Sequence, residues 1–234
     1  MQNIVFNTDC LAYMKTLPDK AFELAIVDPP YGDAIENESN DLRFHAGQRY
    51  DRYKDIYDNN DPKLVTRTEG TWAAKYGKKI AAWDVAPPQE YFNELFRVSK
   101  NQIIWGGNYF NLPPTRCFLI WRKLTISEDF TMAMCEYAWT SFNGNAKVFE
   151  YAPQGSKDDP RFHPTQKPIA LYQWLLQKYA KPGDRILDTH VGSGSSRIAC
   201  WELGFDFVGC EIDPVYWKLQ EKRFKEYQTQ PKLF

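Results

Sequence analysis

Three short stretches of this chain carry residue types that can do chemistry together. The first is Asp28-Pro29-Pro30-Tyr31. It follows an apolar run, Leu24-Ala25-Ile26-Val27, that reads as a buried strand ending at Asp28. Two prolines fix φ and remove backbone donors. An acid and an aromatic ring are thereby held stiffly at the carboxyl end of a strand, where open α/β sheets place their ligands. A hydrogen-bond acceptor beside an aromatic face suits a flat base that carries an amino group. Taken alone, Pro-Pro after a strand is also an ordinary turn, and Asp an ordinary helix cap.

The second stretch, Asp188-Thr189-His190-Val191-Gly192-Ser193-Gly194-Ser195-Ser196, reads as a strand end, a glycine-rich turn and a helix start. Glycines let the backbone come close to a ligand. Amides at a helix start favour an anion or carboxylate. Glu211 stands 211 − 188 = 23 residues later, at the end of the next strand, and can accept both hydroxyls of a ribose. This pairing fits any nucleoside cofactor, nicotinamide dinucleotides included. A dinucleotide fingerprint wants a third glycine where this chain has Arg197, which disfavours a pyrophosphate site. The third stretch, His163-Pro164-Thr165-Gln166-Lys167-Pro168, precedes a helix that leads into the glycine-rich strand. Thr165 and Lys167 can hold a carboxylate there.

The elements that must position these residues alternate in type. Strands are expected at Ile4–Phe6, Phe22–Val27, Ile103–Trp105, Phe118–Trp121, Glu136–Phe142, Arg185–Asp188 and Phe205–Cys210. Helices are expected at Cys10–Leu17, Gln89–Ser99, Pro168–Ala180, Ser195–Leu203 and from Asp213-Pro214 onward. Pro168 suits a first helical turn, and Gly204 suits a helix end. Such alternation argues for an α/β domain with a mostly parallel sheet.

Composition narrows the function classes. With 29 basic against 30 acidic residues, binding to nucleic acid requires a local basic patch rather than a global one. No run approaches the ~18 apolar residues of a membrane span, and Met1–Phe6 lacks the pattern of a signal peptide. Five cysteines, an odd number without Cys-x-x-Cys, are expected to be reduced thiols in a cytoplasmic protein. Three scattered histidines give no metal-site pattern.

Together the three motifs, in this order, resemble those of the beta group of DNA amino-methyltransferases, which modify bacterial or phage DNA. In that group Asp-Pro-Pro-Tyr is catalytic, His-Pro-Thr-Gln-Lys-Pro follows, and Asp-x-x-x-Gly-Ser-Gly binds S-adenosyl-L-methionine. The resemblance extends over nearly the whole chain apart from residues 33–80. It implies a Rossmann-like α/β fold: a circularly permuted, seven-stranded methyltransferase sheet with one antiparallel strand near an edge and helices on both faces. Arg185–Asp188 would be its first strand, Phe205–Cys210 its second, Ile4–Phe6 its third and Phe22–Val27 its fourth.

The same resemblance implies the roles of the residues. Asp9 and Cys10 would sit at the adenine of the cofactor and Glu211 at its ribose. Asp188, Gly192 and Gly194 would line its methionine part, with Thr165 and Lys167 at its carboxylate. His163, Ser193 and Asp213 complete the cofactor side. His190, where many relatives carry Phe, would be pocket wall. An exocyclic amino nitrogen is a poor nucleophile because its lone pair is conjugated into the ring. Asp28 and the carbonyl of Pro29 can each accept one of its N–H bonds, while Tyr31, stiffened by Pro30, stacks on the base. This is catalysis by position and electrostatics, on a base that has left the duplex. Asp rather than Ser before Pro-Pro-Tyr leans toward adenine N6 over cytosine N4, by analogy. The rival readings are cytosine-N4 methylation, a non-catalytic cofactor-dependent DNA-binding protein, and a nicotinamide oxidoreductase.

The chain is expected to form a single domain over 1–234 with three further segments. Residues 33–80 are an insertion, acidic over 33–61 with eight acids and four bases, and basic over 62–80 with five bases and one acid. The functional reading is a lid that also touches DNA. Residues 143–162 are turn-rich and a short candidate recognition region. The tail 228–234 ends Gln230-Pro231-Lys232-Leu233-Phe234, similar to the bacterial sliding-clamp pentapeptide Gln-x-x-Leu-Phe. The partners under consideration are double-stranded DNA, a sliding clamp bound through Gln230, Leu233 and Phe234, and a second copy of the chain as a homodimer, with no membrane.

Overall fold

A computed structural model describes residues 2–32, 85–127, 133–153 and 161–229. The whole insertion 33–80, part of the segment 143–162 and the clamp-like pentapeptide lie outside the described residues. The chain divides into two compact units. One comprises residues 1–29, 88–125 and 135–234; the other comprises 30–87 and 126–134. In the smaller unit, Gly32 has φ +80° and lies so close to Ala86 that a Cβ on it would come within 2.8 Å of the Ala86 Cβ. The chain therefore enters and leaves the insertion side by side.

The larger unit is a doubly wound α/β sheet. Its strands are β1 (Asn3–Phe6), β2 (Phe22–Val27), β3 (Ser99–Trp105), β4 (Leu119–Lys123), β5 (Cys135–Thr140), β6 (Lys147–Tyr151), β7 (Arg185–Asp188) and β8 (Asp206–Cys210). Its helices are α1 (Cys10–Lys15), α2 (Gln89–Val98), α3 (Ile169–Tyr179), α4 (Ser195–Leu203) and α5 (Pro214–Thr229). The strand order is β1-β8-β7-β2-β3-β5-β4-β6. Among these strands only β5 runs against its neighbours; the other pairings are parallel.

The permuted order expected from the motifs is present, with β7, β8, β1 and β2 as the first to fourth strands. The expected count of seven is corrected to eight. The added strand, β6, lies in the stretch read as turns, where it pairs in parallel with β4. It is an edge strand whose residues are exposed except Phe149, which packs at 5.3 Å against Trp174. One inward residue in five leaves too little hydrophobic alternation to mark a strand.

The pleat decides what meets what, because alternate side chains face opposite sides of a sheet. Leu24 and Ile26 of β2, Ile103 and Trp105 of β3, Leu119 and Trp121 of β4, Ala138 of β5 and Ile186 of β7 pack in one core with Leu171, Leu175 and Leu176 of α3. Ala25, Val27, Ile104, Leu187 and Val208 face the other side, against Met14 of α1 and Tyr91, Phe92 and Leu95 of α2. A sheet covered on both faces needs nearly continuous apolar strands. The buried run through Leu24–Val27 meets that need. By the same parity Asp28, Asp188, Glu136 and Lys123 all belong to the α3 side.

Close backbone packing supports the cofactor-side strands. A Cβ on Gly209 of β8 would stand 2.3 Å from Val191 Cγ2 and 3.0 Å from the Phe207 ring. Overpacking of this kind costs ~1–3 kcal/mol or more. Gly209→Ala is therefore expected to lower the thermal midpoint by several degrees. Adding Val191→Ala should restore part of the loss; no recovery in the double variant would show that Val191 is not the obstacle.

Candidate active site

The site is built on three adjacent strand ends. β8, β7 and β2 are neighbours, and they end at Cys210, Asp188 and Val27, so Glu211, Asp188 and Asp28 stand side by side along one edge of the sheet. Asp188 is buried, accepting hydrogen bonds from the Ser196 hydroxyl at 2.5 Å and from the His190 amide at 3.0 Å. Burial pushes its carboxyl up to about 7; these two bonds oppose the rise, and the charges of Asp28 and Glu211 add to it. Glu211 is also buried and shifted upward, by burial first. Its oxygens accept the Gly192 amide at 2.8 Å and the Asp213 amide at 2.9 Å. Glu211 therefore both shapes the glycine-rich turn and presents an acid at the strand end.

The turn itself depends on glycine. Gly192 has φ +52° and Gly194 φ +81°, conformations that cost an L side chain energy. A Cβ on Gly192 would come within 3.1 Å of the His163 ring, and one on Gly194 within 3.2 Å of Gln220 Cβ. The obstacle at Gly194 is thus α5. Ser193 Oγ lies 3.2 Å from Ser195 Oγ, and Arg223 donates to the Ser193 carbonyl at 2.8 Å. Arg197, at the third position of the dinucleotide pattern, is turned into the protein. It donates to Asn3 at 2.6 Å, Gln220 at 2.9 Å and Glu221 at 2.5 Å, and lies 4.0 Å from the Phe224 ring centre.

The remaining cofactor-side candidates divide into caps and walls. Asp9 caps α1 by accepting the Ala12 amide at 2.7 Å, and it is exposed. Asp213 caps α5 through the Val215 and Tyr216 amides at 2.7 and 3.1 Å. Cys10 lies 3.9 Å from His190 Nε2, and burial followed by the Asp9 charge pushes its thiol up to about 12. His190 is held from the other side by Thr189 Oγ1 at 2.9 Å, which in turn meets the Tyr91 hydroxyl at 2.6 Å. Burial pulls His190 down to about 4 and His163 to about 3, aided at His163 by Arg161 and Lys167, so both rings are neutral walls near pH 7. His163 Nδ1 faces Thr165 Oγ1 at 3.2 Å, and its ring stands 4.3 Å from that of Tyr216. Thr165 is exposed.

Lys167, expected at a cofactor carboxylate, lies between two carboxylates of the protein. Its buried ammonium is ion-paired with Asp28, lies 3.1 Å from Glu136 Oε2, and stands 5.4 Å from the Trp105 ring centre. Glu136 is bonded in turn to Lys123 at 2.7 Å. Burial pulls Lys167 down, but Asp28 and Glu136 outweigh it and raise its ammonium above the usual value. Burial would likewise raise Glu136; Lys167 and Lys123 outweigh it and hold its carboxyl at about 2. Asp28 and Pro29 close a segment of the larger unit, whereas Pro30 and the half-buried Tyr31 begin the smaller one.

The chain has known relatives. The family model for DNA methylases of the N6/N4 type matches residues 71–222. The chain belongs to this family. The match takes in Lys167, Asp188 and Glu211, and Asp28 lies ahead of it. Over 98% of its length the methylase is 22% identical to the type II methyltransferase M.HinfI of Haemophilus influenzae, of which it covers 70%. The fold is shared with the cytosine-N4-specific PvuII DNA methyltransferase at a TM-score of 0.59 and 11% identity, covering 100% of this chain and 88% of that one. It is also shared with a DNA modification methylase of Thermus thermophilus, TTHA0409, solved in complex with S-adenosyl-L-methionine, at a TM-score of 0.54 and 16% identity, covering 98% and 96%.

Sequence reasoning missed Lys123, Glu136, Trp105, Tyr91 and Thr189. A charged residue inside an apolar strand, Glu136 in Glu136–Phe142, was the available signal. Among the described residues no helix is long and apolar enough to cross a membrane.

The raised Asp188 carboxyl has a consequence for stability. An ordinary aspartate has a pKa of about 3.9 when unfolded, so the folded methylase binds the extra proton between about pH 4 and 7. Stability from that proton is fully present below pH 4 and is lost as pH rises through 7. The depressed histidines act oppositely, costing stability as pH falls below about 6.5. Asp188→Asn removes only the first effect. Urea unfolding of both proteins at pH 4.5 and 7 should show wild type losing ground to the variant as pH rises. A difference that is flat or moves the other way contradicts an elevated Asp188.

Proposed function

We propose that this methylase transfers a methyl group from S-adenosyl-L-methionine to the N6 amino group of an adenine swung out of double-stranded DNA. The observation that carries the reading is the charged Asp28 at the end of β2, paired with buried Lys167, next to the acidic strand ends of β7 and β8.

The donor set suits the cofactor. Asp188 and Glu211 offer a negative surface to a ligand bearing a sulfonium, an ammonium and two ribose hydroxyls. The Glu211 carboxylate accepts the Gly192 and Asp213 amides, and a carboxylate has about four lone-pair sites, which leaves capacity for a hydroxyl. Glu211 would hold the ribose, Asp9 and Cys10 the adenine, and Asp188 with the Gly192–Gly194 turn the methionine part, beside Thr165. When bound, S-adenosyl-L-methionine supplies an electrophilic methyl group on sulfur. The chain's own residues position the amine. Asp28 accepts one amino N–H and the Pro29 carbonyl the other, which turns the nitrogen lone pair toward the methyl group. Tyr31 stacks on the base. A carboxylate that stays ionised is a stronger acceptor than a neutral group, and the Lys167 pair supports that state.

Asp28→Ala removes this acceptor. Transfer of labelled methyl to DNA should fall by ~10²–10³-fold, while calorimetric affinity for S-adenosyl-L-methionine stays within a few-fold. Nucleoside analysis of DNA methylated by the wild-type chain should return N6-methyladenine. N4-methylcytosine would transfer the same mechanism to the other base, and near-normal turnover by Asp28→Ala would remove Asp28 from the chemistry.

A further inference from the structure

Two charged residues outside all three motifs are tied to the acid at the reaction centre. Glu136 projects from β5 and Lys123 from β4, both on the α3 side of the sheet. The register sets Trp121 opposite Glu136 and Trp105 opposite Ala138, so the side chains of three strands converge beneath the loop that carries Lys167. The contacts run in one direction: Lys123 to Glu136 at 2.7 Å, Glu136 to Lys167 at 3.1 Å, and Lys167 to Asp28. Charge alternates along this row and sums to zero. Lys123 and Lys167 are almost wholly buried, and the Glu136 side chain is 23% exposed.

A surface row of this kind would contribute little. Here Lys123 and Lys167 are largely out of water, and removing one partner of a buried pair is strongly destabilising. Glu136 Oε2 adds a second sign that the row is held for its charges. It is buried, and the Lys167 ammonium stands 3.1 Å from it. An apolar residue would fit β5 at lower electrostatic cost.

We propose that Glu136 and Lys123 are positioning residues for methyl transfer: through Lys167 they set the direction and the charge of the Asp28 carboxylate. Two carboxylates share one ammonium. Glu136 draws Lys167 partly away from Asp28 and so keeps the pair from neutralising the acceptor. Lys123 limits that pull by taking part of the Glu136 charge. Other groups that face Asp28 are Asp188 from β7 and Tyr172 from α3, which senses Asp188, Asp28 and Glu136 together. Trp105 of β3 supplies an uncharged face under Lys167. The proposal rests on Asp28 being the amine acceptor in the reading above.

The test is the pH dependence of single-turnover methyl transfer to DNA by the full chain, with cofactor affinity measured alongside by calorimetry. Glu136→Gln removes a negative charge near Asp28 at constant shape, so the acid limb of the rate profile should move to lower pH. Lys123→Met removes a positive charge, so its acid limb should move to higher pH. Both should lower the maximal rate by about tenfold or more with cofactor affinity within a few-fold of wild type, and Lys123→Arg should restore most of the rate. A merely structural role would not move the two limbs in opposite directions. Should Glu136→Gln fail to fold, Lys123→Met with its Arg rescue decides alone. Limbs that stay in place or move together, with the wild type active, overturn the proposal and leave the function standing. A wild-type chain that methylates no DNA overturns both.

Discussion

A single buried ammonium organises this site. Lys167 sits between Asp28 and Glu136 with the Trp105 ring beside it. Taking one charge out of water costs several kcal/mol, and an uncompensated buried charge is strongly destabilising. Lys167 therefore cannot be placed until β2, β3 and β5 are in register and the loop before α3 has closed on them. Conversely, the Asp28 carboxylate at the end of β2 is met there by the Lys167 ammonium. The chemistry and the sheet topology constrain one another through that group.

The second constraint is acidic crowding. Asp28, Asp188 and Glu211 end or follow adjacent strands, and the charges of Asp28 and Glu211 raise the cost of ionising Asp188. The protein answers differently at each position. Lys167 pairs with Asp28, backbone amides of the glycine turn and of Asp213 stabilise Glu211, and Ser196 with the His190 amide serves Asp188. Burial still leaves the Asp188 carboxyl at about 7. A cationic ligand is the natural complement of such an edge, since added positive charge favours the ionised form of every acid nearby. This is the physical link between the family's cofactor and the stability of the fold.

Much of this was legible in the order of residues. The apolar run into Asp28, the glycines after Asp188 and the spacing to Glu211 are local signals, because strand ends and left-handed turns leave their marks within a few residues. The helix from Ser195 to Leu203 with Gly204 as its left-handed cap is another. What could not be read depends on non-local register. Glu136 and Lys123 are ordinary-looking charges on strands whose order, β3-β5-β4, inverts the chain order. No spacing along the chain brings them to Lys167. The same cause explains Lys167 itself: its motif marks it as important, but only the packed sheet shows that protein carboxylates claim its ammonium. β6 escaped notice because an edge strand with one buried residue has almost no pattern, and the partners of Arg197 could not be read because they come from α5 and β1, far apart in the chain.

The most direct test of the buried charge row is a carbon-detected NMR titration of the Glu136 carboxyl in the wild-type chain, assigned by comparison with Glu136→Gln. Two ammonium neighbours that outweigh burial place its midpoint at about 2, well below the usual 4.5. A midpoint near 2, with Lys167 still protonated above its ordinary 10.5, is the predicted result. A Glu136 midpoint at or above 4.5 would mean that burial wins, that Lys167 and Lys123 do not hold this carboxylate, and that Asp28 is not anchored in the way described.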